Sequence, residues 1–322
     1  MKLDGTVQVR ISKKRAEADD IASFELVPVQ GCLPHFSAGS HIDVHLPNGM
    51  VRQYSLCNEV SQVNRYQIGV LRDPKSRGGS VYMHDVLTEG DVIRISEPRN
   101  HFALAHEAQK SILIARGIGV TPILSMAEGL AHLGATFEFH YCSRTLSRTA
   151  FVHRIQRAVY ADHVKFHLDD GPEQQRFDAS AVLARPDEHT HAYVCGPAGF
   201  LDYVLNAGRA AGWKEENLHR EYFAASPGTT TGATDAFEVQ IASTGSVVFV
   251  PAGKSVVQAL AEQGIDIPVS CEQGVCGTCL TRILEGEPDH RDMFLTDAER
   301  SRNDQFTPCC SRAKSTRLVL DL

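Results

Sequence analysis

The feature that most constrains this chain is a run of three cysteines in its last quarter. Cys271, Cys276 and Cys279 follow the order Cys-x4-Cys-x2-Cys, with Gly274 and Gly277 between them. Glycines allow the backbone to turn sharply, and a turning backbone can direct its N–H groups towards nearby sulfur atoms. We therefore expect a tight loop whose thiols surround one central group.

This spacing, with a distant fourth cysteine, is the ligand pattern of a plant-type [2Fe–2S] cluster, in which two thiolates bind each iron. Cys309 and Cys310 follow Cys279 by 30 and 31 residues, and the spacing alone does not choose between them. The alternative is a structural zinc site, but zinc sites usually have paired Cys-x2-Cys or Cys/His spacings. Because only one Cys-x2-Cys is present, the pattern favours the cluster.

Charge and composition exclude several other classes of protein. The net charge is −7, and no basic block indicates nucleic-acid binding. The N-terminal segment 1–5 contains Lys2 and Asp4 and lacks the apolar core of a signal peptide, and apolar runs such as 247–250 are too short to span a bilayer. We expect a cytoplasmic protein that binds neither nucleic acid nor membrane.

The pattern of predicted elements changes twice along the chain. Short strands separated by turn residues first predict an antiparallel β-barrel with one helix near residues 80–87. Strands then alternate with helices, which predicts a parallel sheet with covered faces. Beyond a stretch rich in Ser, Thr and Gly, a capping box at Ser255 and the cysteine loop predict an α+β unit. The predicted boundaries are 1–104 for the barrel, 105–225 for the α/β domain, 226–234 for a linker and 235–322 for the C-terminal domain.

A glycine turn after the first strand of the α/β domain is typical of a dinucleotide site. It contains Gly117, Gly119, Thr121 and Pro122. Glycines let the backbone approach a pyrophosphate, and a helix N-terminus favours the negative charge of that group. Arg116 precedes the turn, where it would either crowd the ligand or add a phosphate contact, and the sequence leaves this open.

Two later segments fit the same ligand. Cys195, Gly196 and Pro197 form a second turn at the end of a strand, although a cysteine there can also be a plain buried residue. Arg144 follows the second strand, where an adenosine ribose is expected, and its guanidinium would meet a phosphate or remain a surface charge.

A possible flavin motif lies at the end of a predicted barrel strand, with Arg52, Tyr54, Ser55 and Leu56 in the order Arg-x-Tyr-Ser-Leu. An arginine can neutralise a phosphate, a tyrosine can pack on the flavin ring, and a serine hydroxyl can bond the ring near N5. The motif is weak by itself, because Tyr54 and Leu56 are also alternate positions of a half-buried strand.

A second segment strengthens the flavin hypothesis. Arg72 is followed by Gly79 and Ser80 at a predicted helix start, where free N–H groups suit a phosphate. The alternative is a plain glycine turn.

Together these motifs resemble the phthalate dioxygenase reductase family, which includes the vanillate demethylase reductases. The resemblance rests on the cysteine loop, on residues 284–292, on Cys309-Cys310-Ser-Arg-Ala and on the closing segment 318–322, and it extends over essentially the whole chain. It implies three modules: an FMN-binding barrel, a ferredoxin-reductase-like NAD-binding domain and a C-terminal plant-type ferredoxin of β-grasp fold.

The resemblance also implies residue roles. Cys309 becomes the fourth cluster ligand, with Cys310 as its neighbour. Ser55 near flavin N5 and Cys195 near the nicotinamide C4 are the candidate catalytic residues, and NADH is expected rather than NADPH. The residues implied to contact FMN are Arg52, Tyr54, Ser55, Leu56, Arg72, Gly79, Ser80 and Phe223.

The implied function is transfer of electrons from NADH to FMN, to the [2Fe–2S] cluster and then to a Rieske-type non-haem iron oxygenase. A flavin is required because a nicotinamide gives two electrons as hydride whereas the cluster accepts one. A stand-alone NADH:acceptor reductase, such as a flavin or ferric reductase, is the closest alternative. The alternative of another class is a non-catalytic module whose cysteines bind zinc.

Overall fold

The computed structural model describes residues 6–223 and 236–322, which form two compact units. The first unit ends at Glu221 and the second begins at Tyr222. The linker predicted over 226–234 lies outside the described residues, and the boundary at 104/105 stays a prediction. Of the helices within the described ranges, none has the length and apolar character that a membrane crossing requires.

The first unit begins with six antiparallel strands that form a barrel. These are β1 (Thr6–Ala18), β2 (Ile21–Pro28), β3 (His41–His45), β4 (Val51–Ser55), β5 (Tyr66–Leu71) and β6 (Val92–Ser96), with helix α1 (Gly79–Asp85) before β6. The sheet order is β4-β3-β6-β1-β2-β5, and a bridge between Leu56 and Ile68 brings its two edges together. Alternate residues such as Ile42 and Val44 are fully buried in the barrel core, as the period of a strand requires.

The rest of the first unit is a five-stranded sheet. Its strands are β7 (Lys110–Arg116), β8 (Thr136–Ser143), β9 (Val164–Leu168), β10 (Thr190–Gly196) and β11 (Leu218–Tyr222). Its helices are α2 (Val120–His132), α3 (Val152–Gln156), α4 (Ala179–Val182) and α5 (Ala198–Ala210). Strands β7 to β10 are parallel, and the order is β11-β10-β7-β8-β9.

In this sheet the order in which successive strands are added reverses between β7 and β10, while the strands themselves stay parallel. The chain proceeds from β7 outwards through β8 and β9, and then returns to the other side of β7. Ligands of open α/β sheets bind at such a reversal, beyond the carboxyl ends of the strands. The turn Gly117–Gly119 follows β7 there, and Cys195 lies at the end of β10.

Helix α3 is shorter than the pattern over residues 151–159 predicts. Phe151 takes a left-handed backbone conformation with φ 61°, so the helix begins only at Val152. Phe151 is buried in the core shared by the sheet and its helices. Burial of the ring has therefore overridden the helical pattern at this position.

A partly buried arginine bridges the barrel and the sheet domain. Arg154, in α3, donates from Nη2 to the Cys57 carbonyl at 2.6 Å and from Nη1 to Gln67 Oε1 at 3.0 Å. Its guanidinium also binds the Glu128 carboxylate of α2 at 2.7 Å. One charged group thus bridges both halves of the first unit and fixes where their facing surfaces meet.

The second unit is built on a small mixed sheet. Its elements are β12 (Phe237–Ile241), β13 (Val247–Val250), α6 (Val256–Ala261), β14 (Thr281–Glu285), β15 (Pro288–Asp289), α7 (Asp297–Arg302), β16 (Gln305–Phe306), β17 (Arg312–Ala313) and β18 (Arg317–Leu320). The main sheet has the order β13-β12-β18-β14-β16, with β12 and β18 parallel. The predicted capping box is present, because Ser255 Oγ accepts from Gln258 N at 3.2 Å and Gln258 Oε1 accepts from Ser255 N at 3.1 Å.

Candidate functional site

The two candidate catalytic residues converge on a carboxyl group that sequence reasoning missed. Ser55 ends β4 and donates from Oγ to Glu221 Oε2 at 3.1 Å. Burial, together with the nearby Glu221 carboxyl, raises the pKa of the Cys195 thiol well above its usual value. A neutral thiol is a poor nucleophile, so Cys195 is suited to packing and positioning. In the sequence, the one feature that could have drawn attention to Glu221 is its position in a strand, directly before two aromatic residues.

Glu221 is mainly uncharged at neutral pH. Desolvation by the surrounding atoms raises its pKa from 4.5 to about 8, and the Ser55 hydrogen bond opposes only part of that shift. The hydrogen bond between the Ser55 hydroxyl and the Glu221 carboxyl therefore carries no net charge. The site thus holds a hydroxyl and a carboxyl proton side by side.

Replacement of Glu221 by Gln is expected to remove a pH dependence of stability. The raised pKa means that the folded first unit keeps a proton that the unfolded chain releases between about pH 4.5 and 8. The unfolding free energy of the wild type should therefore fall as the pH rises through this window, by up to about 1.4 kcal/mol per pH unit. The unfolding free energy at each pH is measured by denaturant unfolding followed by Trp213 fluorescence, since Trp213 is the one tryptophan and lies in the first unit.

Ser55→Ala is the matched control for this pH series. It keeps the Glu221 carboxyl and removes a hydrogen bond that lowers its pKa, so the pH dependence should persist. If wild type and Glu221→Gln lost stability in parallel across this pH range, the buried proton would be assigned to the wrong group.

The predicted phosphate contacts of the flavin also lie together. A Cβ on Gly79 would come within 2.6 Å of Arg52 Cγ, so the Arg52 side chain lies directly on this glycine. Arg52 Nη2 also donates to the Arg77 carbonyl at 3.3 Å. Ser80 Oγ lies 3.1 Å from Ser76 Oγ in the same turn. The strand motif and the glycine turn therefore form one surface with a guanidinium and a hydroxyl.

Other predicted flavin residues are placed differently. Tyr54 packs against the barrel core and keeps part of its surface exposed. Leu56 is fully buried in that core, and Arg72 forms an ion pair with Asp85 at 2.8 Å on the surface. Phe223 follows β11 and is 38% exposed. The flavin contacts of these four residues remain predictions from the motif.

The two turns at the point where the strand order reverses, one after β7 and one at the end of β10, pack against each other. A Cβ on Gly119 would lie 2.7 Å from Gly196 N and even closer to the Cys195 carbonyl. Thr121 Oγ1 donates to the Ile118 carbonyl at 3.0 Å, and Pro122 is buried within the first turn of α2. Pro197 lies directly before α5 in extended conformation. The predicted dinucleotide residues thus lie together, and most of them are buried, apart from Arg144, which is exposed directly after β8.

Gly119→Ala is expected to weaken NADH binding by roughly tenfold or more. The added methyl group would strike the backbone of Cys195 and Gly196, which cannot move as a flexible side chain can. Overpacking of this kind costs about 1–3 kcal/mol, and about 1.4 kcal/mol is a factor of ten. Titration of the oxidised protein with NAD⁺ and the apparent KM for NADH both report the change.

Gly199→Ala serves as its control, because a Cβ at Gly199, in the first turn of α5, meets no atom within 4 Å. This variant should bind the dinucleotide like the wild type. Equal losses of dinucleotide affinity in the two variants would show that the contact between the two turns does not contribute to binding.

Arg116 does not crowd the glycine turn. Its guanidinium makes a two-point ion pair with Asp169, which follows β9, and stacks over the Phe200 ring at 5.4 Å. The sequence had left two alternatives for Arg116, and in this structure its charge is paired with a carboxylate.

The cysteine loop collects the predicted cluster ligands. Hydrogen bonding to Cys271, followed by burial, raises the pKa of the Cys276 thiol. The Cys309 thiol contacts those of both Cys271 and Cys279. Gln273 N donates to Cys271 Sγ at 3.3 Å, as expected for a loop that turns its N–H groups to sulfur. The four sulfurs therefore form a chain of contacts, which suits two thiolates on each of two irons.

The loop also fits a metal cluster in its backbone and its chemistry. Gly274 and Gly277 have φ +70° and +69°, and a Cβ on them would strike first the Cys310 thiol, with Asp292 behind it, and the Phe294 ring, respectively. Thiols in mutual contact cannot all ionise without repulsion, and iron supplies the positive charge that permits it.

Comparison with known proteins gives the same picture. A family model described as a 2Fe-2S iron-sulfur cluster binding domain matches residues 239–314. The chain is 55% identical to the vanillate O-demethylase oxidoreductase of Pseudomonas sp. strain HR199, over 98% of this chain and 100% of that protein. It is 41% identical to the phthalate dioxygenase reductase of Burkholderia cepacia, over 99% of this chain and 98% of the relative.

A solved structure extends the match to the fold. Phthalate dioxygenase reductase, described as a modular structure for electron transfer from pyridine nucleotides to [2Fe-2S], has a TM-score of 0.75 and 40% identity to this chain. The match covers 99% of this chain and 98% of that one.

A flavin-type barrel, a nucleotide-type sheet and a cysteine-loop unit define an iron–sulfur flavoprotein reductase. The chain belongs to the family of the phthalate dioxygenase reductases and vanillate O-demethylase oxidoreductases. The predicted family and fold class are both confirmed.

Proposed function

We propose that this chain is the cytoplasmic reductase component of a Rieske-type oxygenase, and that it uses NADH, FMN and a [2Fe–2S] cluster. The observation that carries the proposal is the convergence of Ser55 and Cys195 on Glu221 within one compact unit. Ser55 belongs to the flavin motif, whereas Cys195 belongs to the nicotinamide turns. A flavin and a nicotinamide held by these two motifs would meet at this point.

The residues present fit FMN. Arg52 and the turn containing Gly79 and Ser80 would hold the phosphate, and Tyr54 would flank the ring. When bound, FMN supplies the conversion of a two-electron hydride into single electrons. Ser55 Oγ, kept in place by Glu221, would orient the ring edge and hold a proton there.

The nicotinamide would be positioned by the other half of the first unit. The backbone of Gly117–Gly119 and the start of α2 suit a pyrophosphate, and the turn at Cys195 would limit how the nicotinamide ring can lie. Cys271, Cys276, Cys279 and Cys309 would hold the cluster, which supplies a one-electron carrier.

The proposal is tested by a spectrum, a titration and an acceptor assay on anaerobically purified protein. It expects flavin and iron–sulfur absorbance, FMN upon extraction, and bleaching by NADH. Because one relative is a vanillate O-demethylase oxidoreductase, the vanillate demethylase oxygenase is the first acceptor to use. Rapid reduction of this Rieske protein supports the proposal, whereas reduction of only flavins or ferric chelates would support the stand-alone reductase.

A further inference from the structure

A buried carboxylate lies behind the cysteine loop of the second unit. The Asp292 side chain has no exposed surface, and it ends the segment 284–292, which the cluster ligands alone do not explain. Its Oδ2 atom accepts hydrogen bonds from Leu295 N at 2.7 Å and from Phe294 N at 3.1 Å. Burying a charge is costly unless its surroundings compensate it, so the contacts of Asp292 indicate what it holds in place.

The chain around Asp292 packs against the first glycine of the cysteine loop. A Cβ on Gly274 would strike the Cys310 thiol and would also come within 2.9 Å of Asp292 Cα. Met293 N, one residue further on, donates to the Gly274 carbonyl at 2.9 Å. The loop that carries three of the predicted cluster ligands is therefore supported by the backbone at Asp292.

The same carboxylate reaches the segment that carries the fourth predicted ligand. Ser311, two residues after Cys309, is fully buried, and its Oγ donates to Asp292 Oδ1 at 3.5 Å. Ser311 Oγ also accepts from Arg291 N at 3.2 Å, and Ser311 N donates to the Thr307 carbonyl at 3.0 Å. One side chain thus contacts both pieces of chain that supply cysteines.

The charge of Asp292 is partly compensated from two sides. Arg300 Nη2 lies 3.9 Å from Asp292 Oδ2 and donates to the Asp292 backbone carbonyl, and His290 Nδ1 lies 3.5 Å from Oδ1. Burial acts to raise the pKa of Asp292, but contact with His290, the Leu295 N–H and the Arg300 charge bring that pKa below its usual value. The carboxylate is therefore ionised at neutral pH.

We propose that Asp292 is a positioning residue for the [2Fe–2S] cluster: its side chain joins the two ligand-bearing segments, and its negative charge lowers the reduction potential of the cluster. The inference rests on the proposed function and deepens it. Reduction adds an electron to the cluster, so a neighbouring anion makes that step less favourable, and the Arg300 cation limits the effect. Charge and hydrogen bonding around the sulfurs are what set the potential of such clusters.

Asp292→Asn tests the effect of the charge. The amide keeps an oxygen for the Phe294 and Leu295 N–H groups, so the variant should hold its cluster like the wild type. A redox titration of the flavin- and cluster-loaded protein, followed by electron paramagnetic resonance, measures the cluster potential. The reduction equilibrium should shift towards the reduced cluster by roughly tenfold, which is about 59 mV for a one-electron couple.

Asp292→Ala tests the support of the loop, because it also removes the acceptor. Iron should be lost to a chelator roughly tenfold faster than from the wild type, the size expected when backbone donors lose a charged acceptor. Equal rates of iron loss in the wild type and Asp292→Ala would overturn the positioning role.

Two further variants separate charge from packing. Asp297→Asn is the matched control, because Asp297 faces the same Arg300 at 3.8 Å but is fully exposed, so the cluster potential should not change. Arg300→Gln leaves the Asp292 charge less compensated, and the potential should fall. Loss of packing alone gives no reason for shifts of opposite sign in Asp292→Asn and Arg300→Gln.

The outcomes distinguish this inference from the proposed function. An unchanged potential in Asp292→Asn, an equal rise in Asp297→Asn, or a potential that does not fall in Arg300→Gln overturns the inference. If Asp292→Asn assembled no cluster, the direction of the shift in Arg300→Gln would decide the effect of the charge. A wild type without iron and acid-labile sulfide would instead refute the proposed function.

Discussion

Cys309→Ala is expected to abolish the [2Fe–2S] cluster, whereas Cys310→Ala is expected to leave it in place. The two cysteines are neighbours, yet only the Cys309 thiol contacts both Cys271 and Cys279. Cys310 Sγ lies near Thr307 Oγ1 at 3.3 Å and Ser311 Oγ at 3.9 Å. Because the cluster needs four thiolates, loss of Cys309 leaves one iron without a ligand.

The measurement is iron and acid-labile sulfide per chain after anaerobic purification, together with the visible spectrum. Wild type and Cys310→Ala should each hold about two irons and two sulfides, and Cys309→Ala close to none. Alanine is preferable to serine here, because a serine oxygen can itself bind iron. A full cluster in Cys309→Ala together with an empty Cys310→Ala would reassign the fourth ligand.

Arg154→Met is expected to destabilise the first unit by about 3–5 kcal/mol, the usual cost of breaking a buried pair. The lower part of this range is expected, since 25% of the Arg154 side chain is exposed. The variant leaves the Glu128 carboxylate, 17% exposed, without its cation. It also removes the bonds to the Cys57 carbonyl and Gln67 that join the barrel to the sheet.

Denaturant unfolding followed by Trp213 fluorescence measures this loss. Arg148→Met is the matched control, because Arg148 faces Asp20 at 3.8 Å with about half of each side chain exposed. Such surface pairs contribute about 0–1 kcal/mol. Similar midpoints for the two variants would show that the Arg154 bridge contributes no more than a surface contact.

Local patterns predicted the elements well where burial follows the period of the element. The alternating strand Phe237–Ile241 and the capping box at Ser255 both occur as expected. The cysteine spacing indicated a cluster but did not choose between Cys309 and Cys310 as its fourth ligand. The family resemblance and the sulfur contacts both favour Cys309. Helix α3 begins one residue later than predicted because the position of Phe151 is decided by the core that it fills, and it ends at Gln156 rather than at residue 159.

The missed features are contacts between distant parts of the chain. Ser55 and Glu221 are separated by 166 residues, and Arg116 and Asp169 by 53. No periodicity records such a pairing, because it arises only when strands from different modules end at the same place. The motifs could therefore predict a role for Ser55 and leave two alternatives open for Arg116. Their partners, Glu221 and Asp169, became visible only in the folded structure.

The position of Glu221 has a consequence for biosynthesis. It lies in β11, the last strand of the first unit, whereas its partner Ser55 lies in the fourth strand of the barrel. A nascent chain that has left the ribosome only as far as β10 has a complete barrel and the Cys195 turn, but not the carboxyl that joins them. The Ser55–Glu221 contact must therefore await the final strand, so this pairing forms only after the whole first unit has been synthesised.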